Sequence, residues 1–206
     1  MEILGIDEAG RGSVLGPLVV AGVLIPTKMK RVLQRMGAKD SKKLTPERRR
    51  ILGRKLRKMF DYEAVVITAQ DIDNLRAQGT NLNEIEMMAY QKIISKFSPE
   101  KAIVDAVDIK AERFQERLRT TTGIDVIAEH KADDNYIEVS AASIIAKRTR
   151  DEFIEQLNKD FRKIGGVGSG YPSDPKTKKF LTNFTYDEMP DCVRKSWATV
   201  EKMKWF

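Results

Sequence analysis

The chain has 206 residues, 41% hydrophobic and 33% charged, a composition that suits a folded domain with a sizeable core and argues against disorder. One cysteine, Cys192, excludes an internal disulfide, and with a single histidine, His130, a zinc site of three or four nitrogen and sulfur ligands cannot form. The net charge of +7 is uneven: between Lys28 and Lys58 fourteen Lys or Arg stand against two acids, Asp40 and Glu47, so the remainder is slightly acidic. Such a basic segment points to a polyanionic partner, although a solvated, charge-rich helix face explains it equally well.

A first strand is expected at about 2–7, ending on two adjacent acids, Asp7 and Glu8, followed by Gly10-Arg11-Gly12. The glycines suggest a nucleotide-binding loop, but the third, Gly16, comes one position late for the dinucleotide fingerprint, and no Gly-Lys-Ser/Thr follows. The next segment, Pro17 to Ile25, is rich in β-branched residues and reads as a second strand. Too few residues separate the two strands for a helical crossover, so the pair is expected to be antiparallel and the sheet mixed. The apolar run Leu18 to Ile25 is well short of the ~20 residues that cross a bilayer. Met1-Glu2 leads straight into the first strand with no basic leader or cleavage site, so a cytoplasmic protein without membrane contact is expected.

Thr45 as N-cap and Pro46 at the first helical position start a helix whose apolar stripe is Ile51, Leu52, Leu56, Met59 and Phe60, with Arg48, Arg50, Arg54 and Arg57 opposite. A third strand follows at 62–69. A helix at about 81–97 carries Leu82, Ile85, Ala89, Ile93 and Phe97 and is closed by Pro99. Strands at 102–105 and 124–128 flank a helix at about 110–119. A long helix is expected over 134–160, apolar and small in its middle, Ala141 to Ala146, hence buried there. From Gly165 to Pro175 the chain is a turn-rich loop, followed by a short helix at 176–184 and a segment around Trp197. Strands alternating with helices give an α/β core. Residues 1–164 are expected to form it, with 165–206 as a loop and small helical subdomain.

Two more acids stand where α/β proteins gather their sites, beyond the carboxyl ends of strands: Asp105 after Ala102-Ile-Val, and Asp133 in Glu129-His-Lys-Ala-Asp-Asp134. Taken singly, Asp105 is explained by a turn and Asp133 or Asp134 by a helix N-cap. Taken together, they are costly. Two charges about 4 Å apart repel by ~4 kcal/mol at an effective dielectric of 20, so a cluster must take up protons or cations. With nitrogen and sulfur ligands so scarce, any metal has oxygen ligands: magnesium or manganese before calcium. Asp7 and Glu8 leave opposite faces of a strand, so they share a site only if the strand ends there. Asp133, Ser140 and Lys147 are spaced by seven, placing them on one face of the long helix, where Lys147 can meet a phosphate or simply reach solvent.

Six motifs in order, Gly5-Ile-Asp-Glu-Ala-Gly-Arg-Gly12, Asp40-Ser-Lys-Lys-Leu44, Ile103-Val-Asp105, Glu129-His-Lys-Ala-Asp133, Ala141-Ala-Ser-Ile-Ile-Ala-Lys147 and Gly168-Ser-Gly-Tyr-Pro-Ser-Asp-Pro175, resemble type 2 ribonuclease H, ribonuclease HII. The likeness runs from residue 5 to about 197 and is nearest the archaeal branch, including Cys192-Val-Arg-Lys-Ser-Trp197. It implies a ribonuclease H-like fold, a five-stranded mixed sheet flanked by helices with a small helical C-terminal part. It implies cleavage of the RNA strand of RNA/DNA hybrids and incision 5′ to single ribonucleotides in duplex DNA. Asp7, Glu8, Asp105 and Asp133 are then the catalytic residues, holding two Mg2+ or Mn2+ ions and leaving 3′-hydroxyl and 5′-phosphate ends. Gly10, Arg11 and Gly12 match the loop that grips the ribonucleotide at its 2′-hydroxyl, and both glycines admit close backbone approach. Tyr171 matches the tyrosine that stacks on the junction sugar. Ser41, Lys42, Lys43, Ser143 and Lys147 match nucleic-acid contacts, and the helix at 46–58 suits sequence-independent phosphate contacts. A monomer is expected; a replication-machinery partner stays unidentified, and His130 has a structural or a catalytic role. The competing readings are a basic binding protein whose acids only cap and turn, and a different metal-dependent nuclease or phosphohydrolase on a related fold.

Overall fold

The computed structural model describes residues 1–205, apart from the side chains of Asp40, Ser41 and Trp205. Its strands are β1 (Glu2–Ala9), β2 (Leu18–Pro26), β3 (Tyr62–Ile67), β4 (Lys101–Asp105) and β5 (Asp125–Glu129). Its helices are α1 (Lys30–Arg35), α2 (Pro46–Met59), α3 (Ala69–Ala77), α4 (Leu82–Phe97), α5 (Ala111–Thr122), α6 (Ala132–Asn135), α7 (Ile137–Asp160), α8 (Pro175–Leu181) and α9 (Ala198–Glu201). One five-stranded sheet has the order β3-β2-β1-β4-β5. β1 is parallel to β4 and β4 to β5, pairings that require the intervening crossovers. β2 neighbours β1 across a connection too short for a crossover, so the sheet is mixed.

Local signals explain most elements. Thr45 accepts the Arg48 N–H at 3.2 Å and Pro46 opens α2. The inward line of α2 is Leu52, Leu56 and Phe60, whereas Ile51 is 40% and Met59 41% exposed. At ~100° per residue Ile51 stands roughly 140° from that line, which removes it from the expected stripe. α3 was not expected, because the β-branched run into Ala69 reads as a longer strand. Thr68 instead accepts the Asp71 N–H while Asp71 accepts the Thr68 N–H, a reciprocal cap that ends β3 and starts the helix.

The single helix expected over 134–160 is interrupted. Tyr136 is extended (φ −118°, ψ 121°) between α6 and α7, and its hydroxyl donates to Glu129 at 2.6 Å. Asp133 therefore lies on α6 and does not share a helical face with Ser140 and Lys147.

By packing, the chain forms two units. The first comprises Met1–Ala9, Val20–Val65 and Asn83–Arg148; the second comprises Gly10–Val19, Val66–Leu82 and Thr149–Phe206. Ile3, Ile103, Ala132 and Val139 form a core cluster in the first. In the second, Val14, Leu15, Ile154, Phe180 and Val193 are buried together, with Phe161 edge-on to Phe180 at 4.9 Å. No helix among the described residues is long and apolar enough to cross a membrane.

Candidate active site

Gly5 prepares the acidic end of β1. A Cβ there would lie 2.2 Å from the main-chain carbonyl of Glu138, so only glycine lets the start of α7 pass this close. The register that pairs Ile6 with Val104 brings Asp7 level with Asp105 one residue on. Asp7, Glu8 and Asp105 each place a carboxylate oxygen within 4.8 Å of the other two. β1 nevertheless continues to Ala9, contrary to the expectation that the strand must end for its two acids to meet. Asp7 folds back along its own backbone to accept the Glu8 N–H at 2.7 Å.

The electrostatic strain of this cluster is visible in its acids. Burial, then the neighbouring Glu8, holds the Asp7 carboxyl well above the usual range, against an opposing contact from Ser143. Burial pushes Asp105 up to about 6, with Glu8 and Asp133 adding to it and the Ala132 N–H, 2.7 Å from its Oδ1, working against it. Glu8 Oε2 is buried without a hydrogen-bond partner among the described residues. Converging carboxylates with an unsatisfied oxygen form a donor set for a hard divalent cation.

Asp133 stands outside this group of three. It is 5% exposed, and its Oδ1 accepts from Lys42 Nζ at 3.0 Å. The same ammonium bridges both oxygens of Asp134 at 2.9 Å. The N-cap of α6 is Lys131, so neither Asp133 nor Asp134 caps it; Asp105 is the acid that accepts an N–H at that helix start. Lys42 rides on a 3-10 turn, Ala38–Lys43, anchored where the buried Ser140 hydroxyl donates to the Ala38 carbonyl. Of the expected phosphate contacts, Lys42 is thus paired with acids, Lys43 is exposed and Lys147 is half-buried near enough to Asp134 to lower its carboxyl further. Ser143 is fully buried, and its hydroxyl has no hydrogen-bond partner among the described residues. The Ser41 side chain lies outside the described residues. His130 is exposed, its Nε2 3.1 Å from the Ile109 carbonyl.

In the second unit the loop Gly10-Arg11-Gly12 is held from inside. Gly10 has φ +86°, and a Cβ on it would meet the Arg150 side chain at 2.5 Å and the Pro17 carbonyl at 2.7 Å. Gly12 is exposed with open space around it. The first glycine is therefore required by the fold itself, whereas no described neighbour requires the second. Arg194, fully buried, donates to the carbonyls of Gly10 at 2.7 Å, Arg11 at 3.0 Å and Gly16 at 3.1 Å. Burial and the Arg150 charge push its guanidinium down to about 9, still charged at neutral pH. Arg150, 5% exposed, donates to the Ser169 carbonyl at 3.0 Å and lies 4.8 Å from the centre of the Tyr171 ring, which is 37% exposed. Neither arginine was singled out in the sequence. The Cys192–Trp197 motif contains Arg194, but nothing in its spacing says what the side chain grips.

Comparison with known proteins gives this arrangement a context. A family model described as Ribonuclease HII matches residues 4–200. A ribonuclease HII of Methanobrevibacter smithii is 74% identical over 204 residues, 99% of each chain. The ribonuclease H2 structure from Pyrococcus horikoshii superposes with a TM-score of 0.89 at 40% identity, covering 100% of this chain and 98% of that one. A ribonuclease HII from Archaeoglobus fulgidus, solved in complex with PCNA, gives 0.88 at 43% identity over 96% and 95% of the two chains.

Proposed function

The chain belongs to the ribonuclease HII family, metal-dependent endoribonucleases that cleave the RNA strand of RNA/DNA hybrids, and from that premise we propose how its residues divide the work. Asp7, Glu8, Asp105 and Asp133 would hold two divalent cations, Mg2+ or Mn2+, which would supply activation of the attacking water and charge stabilisation at the departing 3′ oxygen. The chain's own part is to fix the acids: the Glu8 N–H orients Asp7 and the Ala132 N–H orients Asp105, while Lys42 neutralises Asp133 in the absence of metal.

Incision falls 5′ to a single ribonucleotide in duplex DNA and leaves 3′-hydroxyl and 5′-phosphate ends. Gly10, Arg11 and Gly12 grip that ribonucleotide at its 2′-hydroxyl, and the bare, exposed backbone at Gly12 supports this role. Tyr171, backed by Arg150, stacks on the sugar at the RNA–DNA junction. Lys43 and Lys147 meet phosphates, together with Ser41 and with Lys42 once the acids carry metal; the exposed cations of α2 hold the duplex without reading sequence. The protein works as a cytoplasmic monomer, with a PCNA-type partner proposed on the likeness to the Archaeoglobus chain.

The observation that carries this reading is the three-acid cluster with its orphaned Glu8 oxygen. The ends of the product test it. A 5′-labelled duplex with one ribonucleotide should yield a fragment one nucleotide short of the ribose, extendable by a polymerase from its 3′-hydroxyl. A cut on the 3′ side, or a 3′-phosphate end, would remove the mechanism.

A further inference from the structure

Within the second unit, Arg11 and Gly12 also line a cavity of about 370 Å3 whose other lining residues the roles above leave unused. Arg11, Gly12, Arg76, Ser196 and Trp197 are among its lining residues, and on their other side Arg76 and Ser196 line a second cavity together with Asp73 and Glu201. The volume falls in the range that accepts a small ligand, and two guanidinium groups set its charge.

Arg76 ends α3 with an exposed side chain. Its guanidinium lies 5.5 Å from the centre of the Trp197 ring and makes no hydrogen bond or ion pair among the described residues. The acid that ought to pair with it is Asp73, one turn earlier on the same helix. Asp73 is committed elsewhere: its two oxygens accept the main-chain N–H groups of Lys195 at 2.7 Å and Ser196 at 3.0 Å. Those bonds fix the segment that brings Ser196 to the cavity, where its hydroxyl is buried and also lacks a partner among the described residues. Trp197 in turn lies 4.8 Å from Arg194, the residue that clamps Gly10 and Arg11. Arg76 is thus a cation positioned by stacking, with its donor fork unspent, on the scaffold that holds the loop.

We infer that Arg76 and Ser196 form a phosphate site that engages a backbone phosphodiester of the duplex flanking the nucleotide held by Gly10–Gly12. A forked donor without an ion pair and a spare hydroxyl are what a phosphodiester needs, and Asp73, one turn away, is spent on main-chain N–H groups. The ligand class rests on the proposed function, since a nucleic acid must be what the loop meets. The site itself rests on the unused donors. Its contribution is register and affinity along the duplex, without base selectivity.

The experiment measures duplex binding by fluorescence anisotropy across a salt series, using an all-DNA duplex and the same duplex with one ribonucleotide. Wild type is compared with Arg76→Gln, Arg76→Lys and Ser196→Ala, each checked by thermal melting. Arg76→Gln, which keeps a stem to lie on Trp197, should weaken binding about fivefold to tenfold and reduce the slope of log K against log salt by about 0.9. Arg76→Lys should keep most of that slope, and Ser196→Ala should weaken binding about twofold to threefold with no change in slope. A wild-type slope in Arg76→Gln would overturn the inference. So would Arg76→Lys being as impaired as Arg76→Gln with a lowered melting temperature, the mark of a merely structural contact with Trp197. Binding is read without cleavage, so a wild type that binds but does not incise counts against the proposed function, while the slopes still decide the phosphate site.

Discussion

Arg194 Nη2 donates to the main-chain carbonyl of Gly10 at 2.7 Å, joining positions 184 residues apart. The same guanidinium reaches Arg11 and Gly16, so one buried side chain near the C-terminal end sets the path of a loop near the N-terminus. Replacing Arg194 by Ala strips partners from three carbonyls and leaves a void. The expected loss is about 3 kcal/mol or more, read by urea denaturation. Arg194→Lys should recover little of it, because one ammonium cannot span three acceptors as a planar fork does. A loss below about 1 kcal/mol in the Ala variant would mean that the loop holds its shape without the clamp.

The two loop glycines should separate cleanly. Gly10→Ala forces a side chain into a left-handed backbone and against Arg150 and the Pro17 carbonyl, at a cost of about 1–3 kcal/mol. Gly12→Ala meets open space and should change stability by less than about 0.5 kcal/mol. Its damage should appear instead as a raised KM for duplexes with one ribonucleotide. An unaltered KM would detach Gly12 from ribose recognition.

Asp105→Asn should reduce cleavage to below about a thousandth while making the metal-free protein more heat-stable at pH 7.5. Burial lifts the Asp105 carboxyl to about 6, above the ~3.9 of an unfolded chain. The folded state therefore holds this proton more tightly. The stability it brings is full below about pH 4 and is lost as the pH rises to about 6. Above that pH a buried charge burdens the fold, and asparagine removes it. A variant that melts below wild type in EDTA at pH 7.5, yet keeps the fold, would show that the ionised acid is not the burden.

Metal and proton should compete for the same oxygens. Mg2+ or Mn2+ should raise the melting temperature at pH 7.5 clearly more than at pH 5, where Asp105 holds its proton. Scanning calorimetry with and without EDTA reads the difference. Equal shifts at both pH values would place the metal elsewhere.

Much of the sheet and the acidic cluster was legible because both leave local marks. β-branched runs announce strands, and adjacent acids at the end of an apolar run announce an unusual charge density. Three of the four singled-out acids do converge, while Asp133 is met by Lys42, a pairing across 91 positions that no spacing reveals. The break at Tyr136 was legible in principle, since Asp133-Asp-Asn-Tyr136 are weak helix formers, but the apolar run that follows masked the signal. α3 was legible in principle, since Thr68 and Asp71 form a capping pattern, but the β-branched run before it masked the signal. Arg150 and Arg194 bond main-chain carbonyls, and a carbonyl has no sequence identity, so nothing along the chain marks them.

The most direct test of the central claim, that the acidic cluster is a metal centre serving ribose-dependent cleavage, uses three end-labelled duplexes: all DNA, DNA with one internal ribonucleotide, and an RNA/DNA hybrid. Each is incubated in magnesium, in manganese and in EDTA. The account predicts cutting only with metal and only where ribose is present, on the 5′ side of the lone ribonucleotide. Cutting of the all-DNA duplex, or undiminished cutting in EDTA, would contradict it.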